Sequence, residues 1–530
     1  MNGHVTKTVQ AWNMKRYISL VLTILLFMTG CGRSNSSASV NNAIDDNYRN
    51  YYEVFVYSFC DSDGDGIGDL KGVESKLDYI AELGCNGIWL MPVMPSTTYH
   101  KYDVTDYKDI DPEYGSIEDF ESLIEEAHKR HINVIIDMVI NHTSSSHPWF
   151  IEATEYLKGL SATEAPDPAA CKYVNYYHFS KEKIDNTWYE MPGTDYYYEG
   201  SFWSEMPDLD LSNEDLRAEL EDTASFWIGK GVDGFRMDAP LHYEETDTAF
   251  NTQTLKWLYN YCKGLDPDFY MVSEVWSSEQ TIEDYYASGT PSMFDFAFAQ
   301  AEGDIIKAAR GKEKASKFVQ SMLEYEAARR TVNPDYINAP FITNHDMPRV
   351  SNALNGKKDD MKMAAAILLS MPGSPFIYYG EEIGMSSKGT KDENKRLPML
   401  WSSTDTAGMC TGPADADKDV VQKCEPVDSQ ITDPDSLYNV YKKGLSIRNE
   451  FPEIARGEGE MIELPGVGDK DIAMVKRTWN DSSVFILYNF EDEDIEVDLK
   501  EYKIRATMSV GGSDATADSV PARSIVYMSK

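Results

Sequence analysis

The chain has 530 residues, with 88 acidic against 49 basic side chains and a formal charge of −39. That length allows two or three domains around a large core. So negative a surface excludes nucleic acid and anionic lipid as natural partners and leaves neutral or cationic ligands.

The elements follow in chain order. Lys15 and Arg16 precede the apolar run Tyr17–Met28 and then Thr29-Gly30-Cys31. The run is too short to span a bilayer comfortably, and it has the charged start, apolar middle and small-residue end of a secretory signal. Cys after Thr-Gly resembles a bacterial lipobox, with Met28 where Leu is usual. The expectation is a lipoprotein signal over residues 1–30 and a lipid on Cys31. The protein would then be exported and held at the outer face of a bacterial membrane by that anchor alone; the alternatives are an uncleaved anchor and plain secretion. Residues 31–49 are rich in Ser and Asn, as suits a flexible tether.

Strand-like and helix-like segments then alternate as far as about Arg448. Strand candidates begin at Glu53 (EVFVYSF), Asn86 (NGIWLM), Asn133 (NVIIDMV), Val232 (VDGFRM), Phe269 (FYMVSE), Ser292 (SMFDFA), Pro340 (PFITN) and Pro375 (PFIYYG). Helical patterns lie between them, such as VESKLDYIAELG and SIEDFESLIEEAHKRH. In the second, Ser116 is a candidate N-cap with Asp119 three residues on, close to a capping box. Eight such units predict an α/β fold, a (β/α)8 TIM barrel over residues 50–143 and 204–451. The third connection is far too long for a barrel loop, so residues 144–203 are expected to form an inserted domain over the barrel mouth. Residues 452–530 switch to short alternating strands with Gly, Asp and Asn turns, expected as a C-terminal all-β sandwich.

Cys410 and Cys424 flank a polar loop and suit a disulfide in an exported protein. No CxxC or Cys/His cluster suggests zinc.

A parallel barrel gathers the C-terminal ends of its strands around one mouth. Four of the predicted strands run straight into acids or histidines there: Asp137, Asn141 and His142; Asp238; Glu274; His345 and Asp346. Any one acid alone reads as a structural ion pair or a solvated loop charge. The convergence of the set is what points to chemistry. Cleaving a glycosidic bond with retention needs two carboxyl groups roughly 5–5.5 Å apart. Asp238 follows Arg236, whose guanidinium would hold a carboxylate ionised, as a nucleophile requires. Glu274 sits between Val272 and Val275–Trp276, apolar surroundings that raise a carboxyl pKa, as a general acid requires.

With the accessory MPDLD at Met206–Asp210, these motifs make the chain resemble the α-amylase family of retaining glycoside hydrolases (glycoside hydrolase family 13) over roughly residues 50–530. The resemblance implies Asp238 as nucleophile, Glu274 as acid/base, and Asp346 as a third acid binding the sugar's 2- and 3-hydroxyls. It implies that His142 and His345 donate to hydroxyls of the same sugar and that Tyr102 stacks on it. Asp137 would tie Arg236 in place beneath the substrate, and His242 and Asp208 would line the site or merely pack. The loop Asp61-Ser-Asp63-Gly-Asp65-Gly-Ile67-Gly-Asp69 has oxygen ligands at alternate positions, like the first half of an EF-hand, but Gly72 stands where the twelfth-position Glu is required. It resembles instead the calcium loop after strand one in oligo-1,6-glucosidase-like members. Asp61, Asp63, Asp65 and Asp69 would then bind Ca²⁺ by side chain and Ile67 by its carbonyl. Asn141 sits where many α-amylases hold a second calcium.

The motifs divide over the substrate. MPDLD is nearer the LPDLD of α-amylases than the QPDLN of oligo-1,6-glucosidases, but Leu241-His242 lacks the Lys that many α-amylases carry, and Lys395–Trp401 (KRLPMLW) resembles the glucosidase branch. The expectation is a monomeric, endo-acting α-amylase on α-1,4-glucans such as starch and maltooligosaccharides. The alternatives are an exo-acting α-glucosidase or oligo-1,6-glucosidase, and a non-catalytic glucan-binding surface protein. Relatives of that last kind lack one or more of the three acids, all present here.

Overall fold

A computed structural model describes residues 44–161, 163–464 and 470–530. The expected signal segment, Cys31 and most of the expected tether lie outside the described residues. Strands β1 (Tyr51–Val54), β2 (Gly87–Leu90) and β3 (Asn133–Met138) are followed by three short ones, β4 (Phe179–Ser180), β5 (Trp188–Glu190) and β6 (Tyr197–Glu199). Then come β7 (Gly234–Met237), β8 (Tyr270–Ser273), β9 (Ser292–Met293) and β10 (Phe376–Tyr378). Seven of these form one parallel sheet in the order β10-β1-β2-β3-β7-β8-β9. Single parallel bridges from Ala339 to Phe294 and from Phe341 to Phe376 fill the eighth position and complete a TIM barrel. The full strand expected at Pro340 does not form, because proline has no N–H to give a ladder. The segment instead accepts from its neighbours, Asp295 N to the Ala339 carbonyl (3.0 Å) and Phe376 N to the Pro340 carbonyl (2.9 Å).

Two further expectations shift. The first strand ends at Val54, and Val56–Phe59 winds into a single helical turn leading to the acidic loop. VESKLDYIAELG forms two helices, Leu70–Ser75 and Leu77–Leu83, broken at Lys76. The second ends on Gly84 at φ 111°, the left-handed cap that glycine allows. The helix Ile117–Lys129 carries the anticipated capping box between Ser116 and Asp119. It buries Phe120, Leu123, Ile124 and Ala127, one stripe at i, i+3, i+4 and i+7.

The insertion holds a helix, Pro148–Gly159, and a small antiparallel sheet in the order β4-β6-β5. Phe150 fixes one on the other by edge-to-face contacts with Tyr177 (5.1 Å) and Tyr198 (5.0 Å). The return chain is laced to the barrel loop by Leu209 N to the Asn141 carbonyl (2.8 Å) and Thr143 N to the Pro207 carbonyl (3.2 Å).

The C-terminal strands are β11 (Glu458–Ile462), β12 (Ile472–Trp479), β13 (Ser482–Asn489), β14 (Ile495–Glu496), β15 (Lys503–Ser509), β16 (Ser519–Val520) and β17 (Ser524–Ser529). Five make an antiparallel sheet, β11-β12-β13-β17-β15, and β14 pairs with β16. The period of two sorts their side chains. Ala473, Val475, Ile486, Tyr488, Ile525 and Tyr527 join the barrel core, while Met474, Leu487, Val526 and Met528 form a second core under β14 and β16. The segment EVDLKEY, which alternates like a strand in the sequence, contributes only Glu496 to β14, and β15 arises from the KIRATMS that follows it. Its alternation is weak in the sequence and is interrupted by a bulge between Ile504 and Ala506.

Cys410 and Cys424 are both free thiols, so the disulfide that the sequence left open does not form. Different neighbours hold them apart. Thr411, next to Cys410, donates to the Gly66 carbonyl of the acidic loop (2.7 Å), whereas Cys424 lines a flank cavity with Ser351 and Gln430.

Candidate active site

Strand register brings the two principal acids together. β7 and β8 pair from Gly234↔Tyr270 to Met237↔Ser273, so the next rung carries Asp238 and Glu274 side by side. Glu274 N donates to the Met237 carbonyl (3.1 Å), which extends the ladder to that rung. Neighbouring strands lie about 4.8 Å apart. Two rungs lower, Asp137 of β3 pairs with Arg236 of β7. Arg236 and Asp238 are two residues apart and share the inward face.

Arg236 is fully buried, and its guanidinium is shared among three acids. Nη1 lies 2.7 Å from Asp137 Oδ1 and 2.6 Å from Asp238 Oδ1, and Nη2 lies 2.8 Å from Glu274 Oε2. Burial works against the charge, but Asp137, Glu274 and Asp238 outweigh it and hold Arg236 well above its ordinary range. Burial raises Glu274 to about 8 despite the pull of Arg236, and it raises Asp137 to about 6 in the same way. The sequence reading supplied the apolar surroundings of Glu274 but not its ion pair with Arg236. Glu274 Oε1 is buried and has no hydrogen-bond partner.

The third acid stands on a chain of contacts across the barrel. Glu53 Oε1 is 2.6 Å from His345 Nδ1, and His345 Nε2 is 2.9 Å from Asp346 Oδ2. Burial opposes a charged imidazole, yet Asp346 and Glu53 lift His345 to about 9. Burial alone would raise Asp346, but His345, then Arg396 and Arg236, hold it well below the usual carboxylate range. Arg396 Nη2 lies 2.7 Å from Asp346 Oδ1.

Tyr102 stacks on His345, with ring centroids 5.6 Å apart and 16° between planes. Its hydroxyl lies 2.7 Å from His345 Nε2 and 3.1 Å from Asp137 Oδ2. His142 is buried beside them with Nε2 3.2 Å from the Tyr102 carbonyl. Ala239 (φ 46°) and Lys101 (φ 66°), the neighbours of Asp238 and Tyr102, both adopt the left-handed conformation that non-glycine residues avoid.

Asp238, Glu274 and Asp346 open onto a cavity of about 800 Å³. Its rim carries Phe202 and Trp203 from the insertion and Trp276 after β8, exposed by 46%, 46% and 42%. Trp276 lies flat on Phe296 at 5.2 Å. His242 reaches the same cavity edge-on to Phe202 (4.8 Å), with Nδ1 2.6 Å from Glu245. Such rings offer stacking faces to a sugar while the acids offer hydrogen-bond acceptors to its hydroxyls. Glu53, Arg396, Phe202 and Trp203 had no role in the sequence reading. The available signals were an acid inside a buried strand for Glu53 and the KRLPMLW motif for Arg396.

Asn141 Nδ2 donates to Asp208 Oδ1 (3.2 Å), and burial raises Asp208 to about 6. In the acidic loop, Asp61, Asp63 and Asp65 each present a carboxylate oxygen within 4.8 Å of the others. Asp61 Oδ1 accepts from Asp63 N and Gly64 N, and Oδ2 from Gly66 N, so the chain wraps around that carboxylate. Gly64 (φ 89°) and Gly66 (φ 96°) permit the wrap. Asp69 is engaged apart from the trio, accepting from Ser62 N, Ser62 Oγ and Gly72 N as the cap of the next helix. The three clustered carboxylates form an all-oxygen donor set suited to a hard cation such as Ca²⁺.

Residues 53–457 match the family profile described as "Alpha amylase, catalytic domain". "Alpha-amylase 3" of Dictyoglomus thermophilum is 40% identical over 90% of each chain. "Glucan 1,6-alpha-glucosidase" of Streptococcus pneumoniae is 30% identical over 86% of this chain and 93% of its own. Among solved structures, "Eubacterium rectale Amy13B" superposes with a TM-score of 0.87 at 44% identity, over 92% of this chain and 96% of that one.

Proposed function

Since the chain belongs to the α-amylase family of glycoside hydrolases, we propose that it cuts α-1,4-glucosidic bonds inside starch and maltooligosaccharides by an endo-acting, retaining double displacement. The observation that carries this reading is the shared rung of Asp238 and Glu274, joined by one guanidinium. A strand spacing of about 4.8 Å is nearer the roughly 5–5.5 Å of a retaining pair than the roughly 6.5–9.5 Å of an inverting one, which supports retention.

In this reading Asp238, charge-compensated by Arg236, attacks the anomeric carbon. Glu274, held protonated by burial, gives its proton to the leaving oxygen. The glycosyl group is then bonded to Asp238, and Glu274, now a carboxylate, takes a proton from the water that releases it. Asp346, kept ionised by His345 and Arg396, accepts from two hydroxyls of the reacting sugar. Tyr102 gives that sugar a face, and Phe202, Trp203 and Trp276 stack on its neighbours. Asp61, Asp63 and Asp65 would hold Ca²⁺, completed by the Ile67 carbonyl and water, as a cross-link of the loop with no part in bond cleavage. The lipobox supports a surface anchor on Cys31, suited to a polymer that cannot enter a cell. Metabolic palmitate labelling lost on Cys31→Ala would support the anchor, and an unlabelled wild type would refute it.

A second reading, an exo-acting α-glucosidase or oligo-1,6-glucosidase, is favoured by Arg396 and Asp392, which wall one side of the cavity. Digestion of soluble starch and of p-nitrophenyl α-glucoside separates the two. Early maltooligosaccharides with a fast fall in iodine colour support the endo reading. Glucose from the outset with rapid aryl-glucoside cleavage replaces it with the exo one. Proton NMR of the first product reads the anomer, and a β-anomer appearing first would end the retaining mechanism.

A further inference from the structure

The barrel end opposite the acids holds a cation with no matching acid. Arg448 is 3% exposed, in the helix Leu437–Glu450. Its Nε donates to Asn50 Oδ1 (3.0 Å), Nη1 to the Leu369 and Met371 carbonyls, and Nη2 to the Gly373 carbonyl. Every one of these partners is neutral, and among the described residues no carboxylate pairs with Arg448. Burial pulls its guanidinium down to about 9; Tyr527 and Tyr488 oppose this, and Arg456 and Arg477 reinforce it.

Beside it lies a small cavity of about 20 Å³. Arg49, Arg448 and Arg456 line it together with Asn50, Asn86 and Asn449, and no Asp or Glu does. Arg49 is 3% exposed, and its Nε is buried with no partner. Its Nη2 reaches Asp45 (2.9 Å), whose side chain is fully exposed, and Arg456 is paired with Asp46 (2.6 Å). A cavity of this size holds one water-sized particle. Water would satisfy the Arg49 donor but leave the Arg448 charge buried and uncompensated, which is costly. An anion meets both needs, and guanidinium groups are weakly hydrated and readily desolvated toward one.

We propose that this cavity binds a single small monovalent anion, chloride in ordinary media. The ion cross-links the segments entering β1, β2 and β10 to the helix Leu437–Glu450 and to Arg456 at the start of the C-terminal domain. It binds the folded chain alone, so it stabilises by mass action.

Melting curves of the described chain in sodium chloride and in sodium gluconate at matched ionic strength test this. Chloride should raise the melting temperature saturably, by about 2 °C or more. Arg49→Met, which deletes the unpartnered donor and keeps Arg448, should melt at one temperature in both salts. Crystals of the unaltered chain soaked in sodium bromide should show an anomalous peak between Arg49 and Arg448, a readout that survives if the variant fails to fold. Coincident melting curves of the unaltered chain, or no bromide peak, would overturn the proposal. So would a peak with no stability shift, which marks an adventitious ion only.

Discussion

Arg236 Nη2 stands 2.8 Å from Glu274 Oε2, while Oε1 of the same carboxyl is buried without a partner. One oxygen is pinned and the other is kept for a group the protein does not supply. That division suits a proton donor. The pinned oxygen fixes the plane of the carboxyl, and the free one can carry the hydrogen.

Glu274 must be protonated to act as an acid, and burial raises it to about 8. Activity should therefore hold through neutral pH and fall as pH rises through about 8. The pH dependence of kcat/KM on a maltooligosaccharide reads this limb. A profile still flat at pH 10 would remove Glu274 from the acid's role.

The same shift bears on stability. The folded pKa of about 8 lies above the ordinary 4.5, so between those values the folded chain binds the extra proton and the unfolded chain does not. Stability must then fall as pH rises across that window. Glu274→Gln, neutral at every pH, should remove this slope and stabilise the protein at pH 8 by on the order of 1–3 kcal/mol. Denaturant melts at pH 5 and pH 8 compare the two; equal slopes would refute the effect.

Asp238→Asn deletes the attacking charge with little change in volume. Turnover should drop by about 10⁴-fold or more. Arg236 keeps Asp137 and Glu274, so the fold should lose only about 1–3 kcal/mol. Circular dichroism melts beside initial rates check both halves. A variant that unfolds at assay temperature would make Asp238 structural.

Arg396 lies 2.7 Å from Asp346 and belongs to no predicted strand end. Arg396→Met should free the Asp346 carboxylate to turn and lower kcat/KM by roughly 10–100-fold. Michaelis kinetics on maltotriose and longer chains measure it. An unchanged kcat/KM would show that His345 suffices to orient Asp346.

With Ca²⁺ held by the acidic loop as proposed, chelation should lower the melting temperature, because such an ion would bind the folded loop alone. Asp63→Ala, which gives up one exposed backbone hydrogen bond where Asp61→Ala would give up three, should melt like the chelated wild type and ignore added chelator. Asp69→Ala is a poorer probe, since it also uncaps a helix at a cost of about 1 kcal/mol. Identical melts of the wild type with and without chelator would end the calcium assignment.

The barrel and the three acids were legible because both rest on local pattern. Short apolar runs ending in Asp238, Glu274 and Asp346 need only the rule that strand ends converge. What the chain hid were relations fixed by closure. Glu53 reads as a stray acid in a strand until the barrel sets it against His345. Arg396 lies 50 residues past its partner Asp346, and nothing local points one at the other. The strand at Pro340 looked apolar enough, but its missing N–H decided the outcome. Cys410 and Cys424 invited a disulfide through spacing alone, and the fold gave each a different neighbour.

The sheet β11-β12-β13-β17-β15 is apolar on both faces, and β17 lies inside it, between β13 and β15. This sets an order of events during synthesis. The barrel helices that rest on this sheet cannot be covered before Ser524–Ser529 has been made, long after β1 has emerged. Until then the chain carries an open apolar seam along the barrel. Exposed apolar surface of that kind invites association with other chains, so the last strand of the sequence is the one that ends the risk.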